Sequence, residues 1–262
     1  MSDDHYAQQN RRAWNEIADI RSQSFPPATF FAEGGSVLSQ RVIEAVADVS
    51  NKTLLHLQCA TGEETLSWAN AGARAFGVDI SDAQIKIAVQ KASDSRLPIQ
   101  YRTANVYELP QELQNGTFDY VYTGVGALMW LWDIERWAQV VNAALRPNGK
   151  LVLYEMHPIT LCLWTEADRL TVVDDYFRRN QPAYDRGWSH FVGGEKAHET
   201  KVQFAWPLGD IVTSLIHAGM QIQSLQEYPS EEKYRFSNQL EEAQRLPGMY
   251  LLIAQKLVQK TT

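Results

Sequence analysis

The stretch from Leu54 to Asp79 constrains the chain most. An apolar run, Leu54-Leu55-His56-Leu57, leads into Gln58-Cys59-Ala60-Thr61-Gly62 and then Glu63-Glu64-Thr65-Leu66. Ala75-Phe76-Gly77-Val78-Asp79 follows. A short apolar run, a tight small-residue bend, a helical segment and a second apolar run predict strand, loop, helix and strand. Asp79 then stands at the tip of the second strand, 17 positions after Gly62. A carboxylate about 20 residues beyond such a loop is where nucleotide-binding α/β units hold a ribose diol.

The loop argues about which nucleotide. A dinucleotide fingerprint needs small residues at three places, the last opening the helix so that pyrophosphate lies on backbone N–H groups. Here those places are Gln58, Ala60 and Glu63, with Glu64 next. Two carboxylates in the first helical turn suit the helix dipole and repel a phosphate. A phosphate-free nucleoside with a positive centre fits better, and S-adenosylmethionine is one.

With His56-Leu57-Gln58-Cys59-x-x-Gly62, Gly77-Val78-Asp79-Ile80-Ser81, Ala104-Asn105-Val106, Phe118 to Thr123, Leu145 to Gly149 and His157-Pro158 in order, the chain resembles the class I S-adenosylmethionine-dependent methyltransferases. It is most similar to the small-molecule branch with a His-Leu-Gln-Cys first motif, which includes the teleocidin C-methyltransferases. The resemblance implies a Rossmann-like α/β fold: a seven-stranded, mostly parallel sheet with helices on both faces, an antiparallel last strand and an inserted cap. The implied organisation is an N-terminal helical lid region over 1–50, a core over 51–156 and 207–262, and a substrate cap over 157–206.

Composition sets the outer bounds. The chain has 262 residues, 45% of them hydrophobic, enough to bury a full core. Its net charge of −7, without a basic run, argues against nucleic acid and anionic membranes as partners. The start, Met1-Ser2-Asp3-Asp4-His5, lacks the charged and apolar regions of a signal peptide, and no segment reaches the ~20 apolar residues of a membrane span. Cys59 and Cys162 lie far apart and join no metal-type pair, so a reducing cytoplasm and no metal are expected. A homo-oligomer stays open.

Tyr6 to Arg21 has helical apolar spacing, interrupted at Asn10, and predicts one leading amphipathic helix. It either packs on the sheet or, as the resemblance implies, lids the cofactor with Tyr6 or Trp14. Phe25, Phe30 and Phe31 sit in an irregular segment and are expected to wall a pocket, and Ser36 to cap a helix running to about Val49. Ser81-Asp82-Ala83-Gln84 reads as a capping box, followed by an apolar face of Ile85, Ala88, Val89 and Ala92.

The cofactor is expected against the loop residues Gln58, Cys59, Ala60 and Gly62, against Asp79 and Ile80, and near Gln84. Asn105 and Val106 follow a short third strand. The resembling family usually has Asp at 105 for the adenine amino group, and the Asn carbonyl accepts the same bond; the residue also reads as an ordinary turn. Gly124 and Val125 end the fourth strand, at the edge where α/β sheets bind ligands. Asp119, at that strand's beginning, is assigned to structure.

Residues 157–206 break the pattern and are rich in aromatics, too long for an ordinary loop. Acceptor contacts are expected from Tyr6, Trp14 and Trp130, and from Tyr176, Trp188 and His198 in the cap, with His190 and Tyr184 behind them. The aromatic density suggests a flat or apolar small-molecule acceptor. His157, ending Glu155-Met156-His157-Pro158, is the candidate general base; it reads equally as a histidine bonded to backbone at a strand end.

Methyl transfer from sulfonium needs alignment and exclusion of water more than specific chemical groups. Three other readings stay open: an NAD-dependent oxidoreductase, a cofactor-binding module without transfer, and a cyclase on the same fold.

Overall fold

A computed structural model describes residues 4–46 and 48–258. Met1, Ser2 and Asp3, on which part of the argument against a signal peptide rests, lie outside the described residues. The first strand β1 (Thr53–Leu57) is parallel to β2 (Arg74–Asp79) on one side and to β4 (Phe118–Thr123) on the other. Strands β3 (Gln100–Thr103) and β5 (Leu145–Met156) extend the sheet outward. Two short ribbons, β6 (Leu163–Glu166) with β7 (Arg169–Val172) and β8 (Ala183–Arg186) with β9 (Thr200–Gln203), stand apart from it. Finally β10 (Met220–Pro229) and β11 (Pro247–Lys256) form an antiparallel hairpin, with β11 also antiparallel to β5. The seven-stranded order is β10-β11-β5-β4-β1-β2-β3, the expected Rossmann-like sheet. Strand order reverses between β4 and β1, and the crevice outside their carboxyl ends is the natural ligand site.

Both faces of the sheet are buried, which explains the continuous apolar runs. The helices so far are α1 (Asp4–Glu16), α2 (Ala18–Gln23), α3 (Ala28–Ala32) and α4 (Gln40–Ala45). After them come α5 (Glu63–Asn70), α6 (Asp82–Asp94), α7 (Ile134–Ala144), the one-turn α8 (Pro158–Leu161) and α9 (Leu208–His217). Leu55, Leu57, Val121 and Leu153 pack with Trp137 and Val141 of α7 and Leu215 of α9. Leu54, Tyr122 and Val152 face the other way, against Trp68 of α5 and Val42 of α4. Alternate strand residues thus feed two cores, each buried side chain contributing about 1.5–3 kcal/mol.

Several local expectations are corrected. The single leading helix breaks at Ile17 (φ −104°, ψ 7°), whose side chain is fully buried, and α2 begins at Ala18. Ser36 caps no helix: its hydroxyl accepts from Leu38 N–H, and α4 starts after Ser39 and stops at Ala45. Val89 is half exposed, so the buried stripe of α6 is Ile85, Ala88 and Ala92. Asn10, an interruption in the sequence pattern, is buried for a reason. Its amide donates to Val202 O (2.9 Å) and accepts from Val202 N (2.8 Å), tying α1 to β9 like an added strand. The segment between β10 and β11, with α10 (Lys233–Phe236) and α11 (Leu240–Ala243), packs Phe236 and Ala243 on Leu163 of the 157–206 region.

Candidate functional site

A cavity of about 310 Å³ opens at the carboxyl ends of β1, β2 and β4, beneath α1 and α2. Its floor is the loop after β1, where left-handed residues alternate: Gln58 (φ 58°), Ala60 (φ 49°) and Gly62 (φ 86°). Gly62 has no substitute, since a Cβ would stand 2.6 Å from the Tyr101 hydroxyl and 3.0 Å from the Ala88 methyl. Gln58 and Ala60 adopt a conformation that ordinary residues avoid, and hydrogen bonds hold them there. The Gln58 amide donates to Ala127 O (2.8 Å), and Ala60 N–H donates to Asp79 Oδ2 (2.8 Å).

Asp79 thus sits against the loop. Its other oxygen accepts from Ser81 N–H at 2.9 Å. Burial raises its pKa, and the N–H groups of Ser81 and Ala60 oppose that. Ser81 Oγ accepts from Gln84 N–H (3.1 Å) and caps α6, the first half of the expected capping box. The reciprocal bond is absent because Ser81 N–H is spent on Asp79. The Gln84 side chain lines the cavity instead, and its Oε1 is buried without a partner, as is Gln58 Oε1. Such orphans are rare in a finished interior and point to a ligand.

Asn105 accepts from Tyr107 N–H at 3.1 Å, so it is a turn residue, and it lines the cavity beside Val106. Cys59, Ile80, Gly124 and Val125 also line it, while Gly62 lies in the loop behind. Glu155 holds the loop after β4: its carboxylate accepts from the N–H groups of Gly126 (2.6 Å), Ala127 (2.7 Å), Leu128 (3.1 Å) and Met156 (2.7 Å). The sequence gives one signal for this, a carboxylate within an apolar strand.

The two carboxylates opening α5 behave differently from one another. Glu63 is 2% exposed and bonded to Arg21 (3.0 Å), to Lys91 and to the Thr61 hydroxyl. Burial alone would raise its pKa; Arg21 and Lys91 override that and hold it below the ordinary value. The expected repulsion at Glu63 is therefore met by two cations. Glu64 accepts from the Tyr122 hydroxyl (2.6 Å) and is pushed up to about 7, chiefly by burial. His56 bonds through Nδ1 to the Thr65 hydroxyl (2.8 Å), and burial above all lowers it to about 3. Arg21, placed by the break at Ile17, carries no motif that sequence reading could catch.

On the acceptor side Trp14 and Trp130 line the cavity and Phe25 joins them, whereas Phe31 is core and Phe30 is 37% exposed. Trp188 stacks behind, with ring centroids 4.3 Å from Trp14 and 5.5 Å from Trp130. The other candidates lie elsewhere. Tyr6 lines a separate groove with Trp132, Phe204 and Trp206. Tyr176 accepts from Leu208 N–H (3.1 Å). His198 is exposed and its N–H donates to Glu16 (2.8 Å); His190 and Tyr184 are exposed too.

His157 does not line the cavity. Its Nδ1 accepts from Ile159 N–H (3.1 Å), capping α8, and its Nε2 lies 3.0 Å from Glu227. Burial lowers its pKa against the pull of Glu227. Among the described residues no group of three or more His, Cys, Asp or Glu side chains is gathered as a metal site, and no helix is long and apolar enough to cross a membrane.

Residues 55–153 match the sequence model of a methyltransferase domain. A solved S-adenosylmethionine-dependent methyltransferase from Mesorhizobium loti superposes with a TM-score of 0.61 at 23% identity, covering 82% of this chain and 96% of that one. The fold is the class I methyltransferase fold. It is shared with a solved 4+2 cyclase, SpnF: TM-score 0.64, 16% identity, 96% of this chain and 97% of that one. In sequence, a ubiquinone biosynthesis O-methyltransferase from Chromobacterium violaceum is 30% identical over 107 residues. The match covers 41% of this chain and 45% of that enzyme, so it spans less than half of either.

Proposed function

We propose that this chain is an S-adenosylmethionine-dependent methyltransferase acting on a small, aromatic or apolar acceptor. The observation that carries the reading is the sequence of groups across the sheet edge. Asn105 and Val106 follow β3, Asp79 and Ile80 end β2, Gln58 and Ala60 follow β1, and Gly124 follows β4. Adjacent strands are about 4.8 Å apart, so this edge suits an adenine, a ribose diol and an amino-acid tail laid side by side. The partnerless oxygens of Gln58 and Gln84 fit the hydrogen-bond donors of such a ligand.

Bound S-adenosylmethionine supplies an electrophilic methyl on a sulfonium. The chain's part is to orient and to exclude water. Asp79 accepts from the ribose hydroxyls, α1 and α2 close the cavity, and Trp14 and Trp130 present flat faces to an acceptor. His157 does not line the cavity, so we assign no base from this side chain. Ala60 N–H, the loop donor a pyrophosphate would seek, is spent on Asp79, which disfavours the NAD-dependent oxidoreductase.

Isothermal titration tests the reading. S-adenosylhomocysteine is expected to bind one-to-one at micromolar affinity, and Asp79→Ala to weaken it about a hundredfold, the loss of two hydrogen bonds to a charged group. Absence of binding, or an Asp79→Ala variant equal to the parent, overturns it. The cyclase likeness favours a second reading, retention of the cofactor without transfer. Stoichiometric S-adenosylhomocysteine formed with an acceptor argues for transfer; product without it argues for the cyclase.

A further inference from the structure

The cavity carries four carboxylate or imidazole side chains, and three of them have their partners inside the protein. Glu63 is met by Arg21 and Lys91, both Asp79 oxygens take backbone N–H groups, and His56 is bonded to Thr65. Glu64 differs. Its Oε1 takes the Tyr122 hydroxyl, whereas Oε2 takes no hydrogen bond among the described residues, and His56 Nε2 stands 3.8 Å from it, beyond hydrogen-bond reach. That oxygen lies against Gly124 so closely that a Cβ there would stand 2.2 Å from it.

We infer that Glu64 receives the α-ammonium of the cofactor's amino-acid tail and makes the site selective for a nucleoside bearing that charge. The inference rests on the reading above. Its first support is position: Asp79 lies on the β2 side of β1 and Gly124 with Glu64 on the β4 side. A ligand whose ribose is at Asp79 and whose adenine lies toward β3 must extend its tail toward Glu64.

The second support is charge. The groups facing Glu64 are His56 on β1, Tyr122 on β4, Glu155 on β5, Arg21 on α2 and Glu63 on its own helix. Arg21 is the one cation among them, and it is bonded to Glu63. A carboxylate about three-quarters buried beside two others is left without a counter-ion, and burial keeps it protonated up to about pH 7. A sulfonium has no proton to donate, whereas an ammonium has three. Ammonium binding favours the ionised carboxylate, so affinity falls as pH drops below 7.

Titration of the full-length chain and its Glu64→Gln variant with two ligands tests this. S-adenosylhomocysteine has the tail; 5′-methylthioadenosine has the same nucleoside and thioether without it. At pH 8 Glu64→Gln is expected to weaken S-adenosylhomocysteine by roughly 10- to 100-fold and to leave methylthioadenosine within about threefold. From pH 8 to 6 the parent's affinity for S-adenosylhomocysteine should fall roughly tenfold, and the variant's should stay flat. Equal S-adenosylhomocysteine affinity in both proteins overturns the assignment, as does equal loss for both ligands, which marks a structural role. Unchanged affinity with lost turnover overturns it in favour of a role in the chemistry. A parent that binds methylthioadenosine as well as S-adenosylhomocysteine refutes the ammonium contact alone, whereas one that binds neither ligand refutes the cofactor reading and this inference together.

Discussion

The cavity's lining side chains come from the ends of β1 and β2, the first turns of α5 and α6, the loops after β1 to β4 and the N-terminal segment; among the described residues none comes from 157–206. The 157–206 region reaches this site through Trp188, which backs Trp14 and Trp130 without lining it. Two ion-paired groups, one from each region, differ in how they hold charge. At the sheet edge Arg21, Glu63 and Lys91 form a buried group with side chains 14%, 2% and 11% exposed. Arg179 of the 157–206 region pairs with Asp210 of α9 at 46% and 28% exposure, while Lys201 of the same region is itself buried (7%) against Asp185. A pair out of water is not screened and its members depend on one another; a wet pair contributes little. The Arg21–Glu63–Lys91 group is therefore built to keep one shape at the sheet edge, and the Arg179–Asp210 pair is not.

Paired substitutions put the largest strain on that contrast. Lys91→Met removes one of the two cations on Glu63 and should cost about 3 kcal/mol in urea unfolding, whereas Arg179→Met should cost under about 1 kcal/mol. Equal losses would erase the distinction. Glu64→Gln sharpens it with the opposite sign. The Glu64 pKa is raised from 4.5 to about 7, so between those values the folded chain holds a proton that the unfolded chain has released. Stability contributed by the protonated group is fully present below 4.5 and is lost as pH rises through 7. With about a quarter of the side chain exposed, the variant should gain about 2 kcal/mol at pH 8, less than the full shift implies, and nothing at pH 4.5, by thermal unfolding without ligand.

His157→Ala probes a residue at the junction. Losing the α8 cap should cost about 1 kcal/mol with S-adenosylhomocysteine affinity unchanged; a weakened affinity would return His157 to the site. The smallest effect is expected from His198→Ala and Tyr176→Phe, which should leave that affinity within about twofold. A larger change in the titration would mean that the cap reaches the cofactor.

Much of the edge was readable from residue order. Gly62 and Asp79 stand at spacings that a strand–loop–helix–strand unit imposes, and the apolar runs marked the strands that carry them. Gln84 was readable as half of a capping box, yet its side chain faces the cavity because Asp79 had already taken the Ser81 N–H. Arg21 and Lys91 were not readable at all, being 42 and 28 positions from Glu63 and brought to it by the turn at Ile17 and the packing of α6. His157 stands outside the cavity because β5 ends at Met156 and the next residues open a short helix that the imidazole itself caps.

By itself, then, the chain's order of apolar runs, bends and carboxylates determined the sheet and the half of the pocket that hangs from its strands, because period and short-range spacing are local properties. Which carboxylates are neutralised, which oxygens are left without donors, and whether an aromatic lines a cavity or backs its wall were decided by tertiary structure. Those depend on burial and on partners far away in the chain, and no local pattern encodes either.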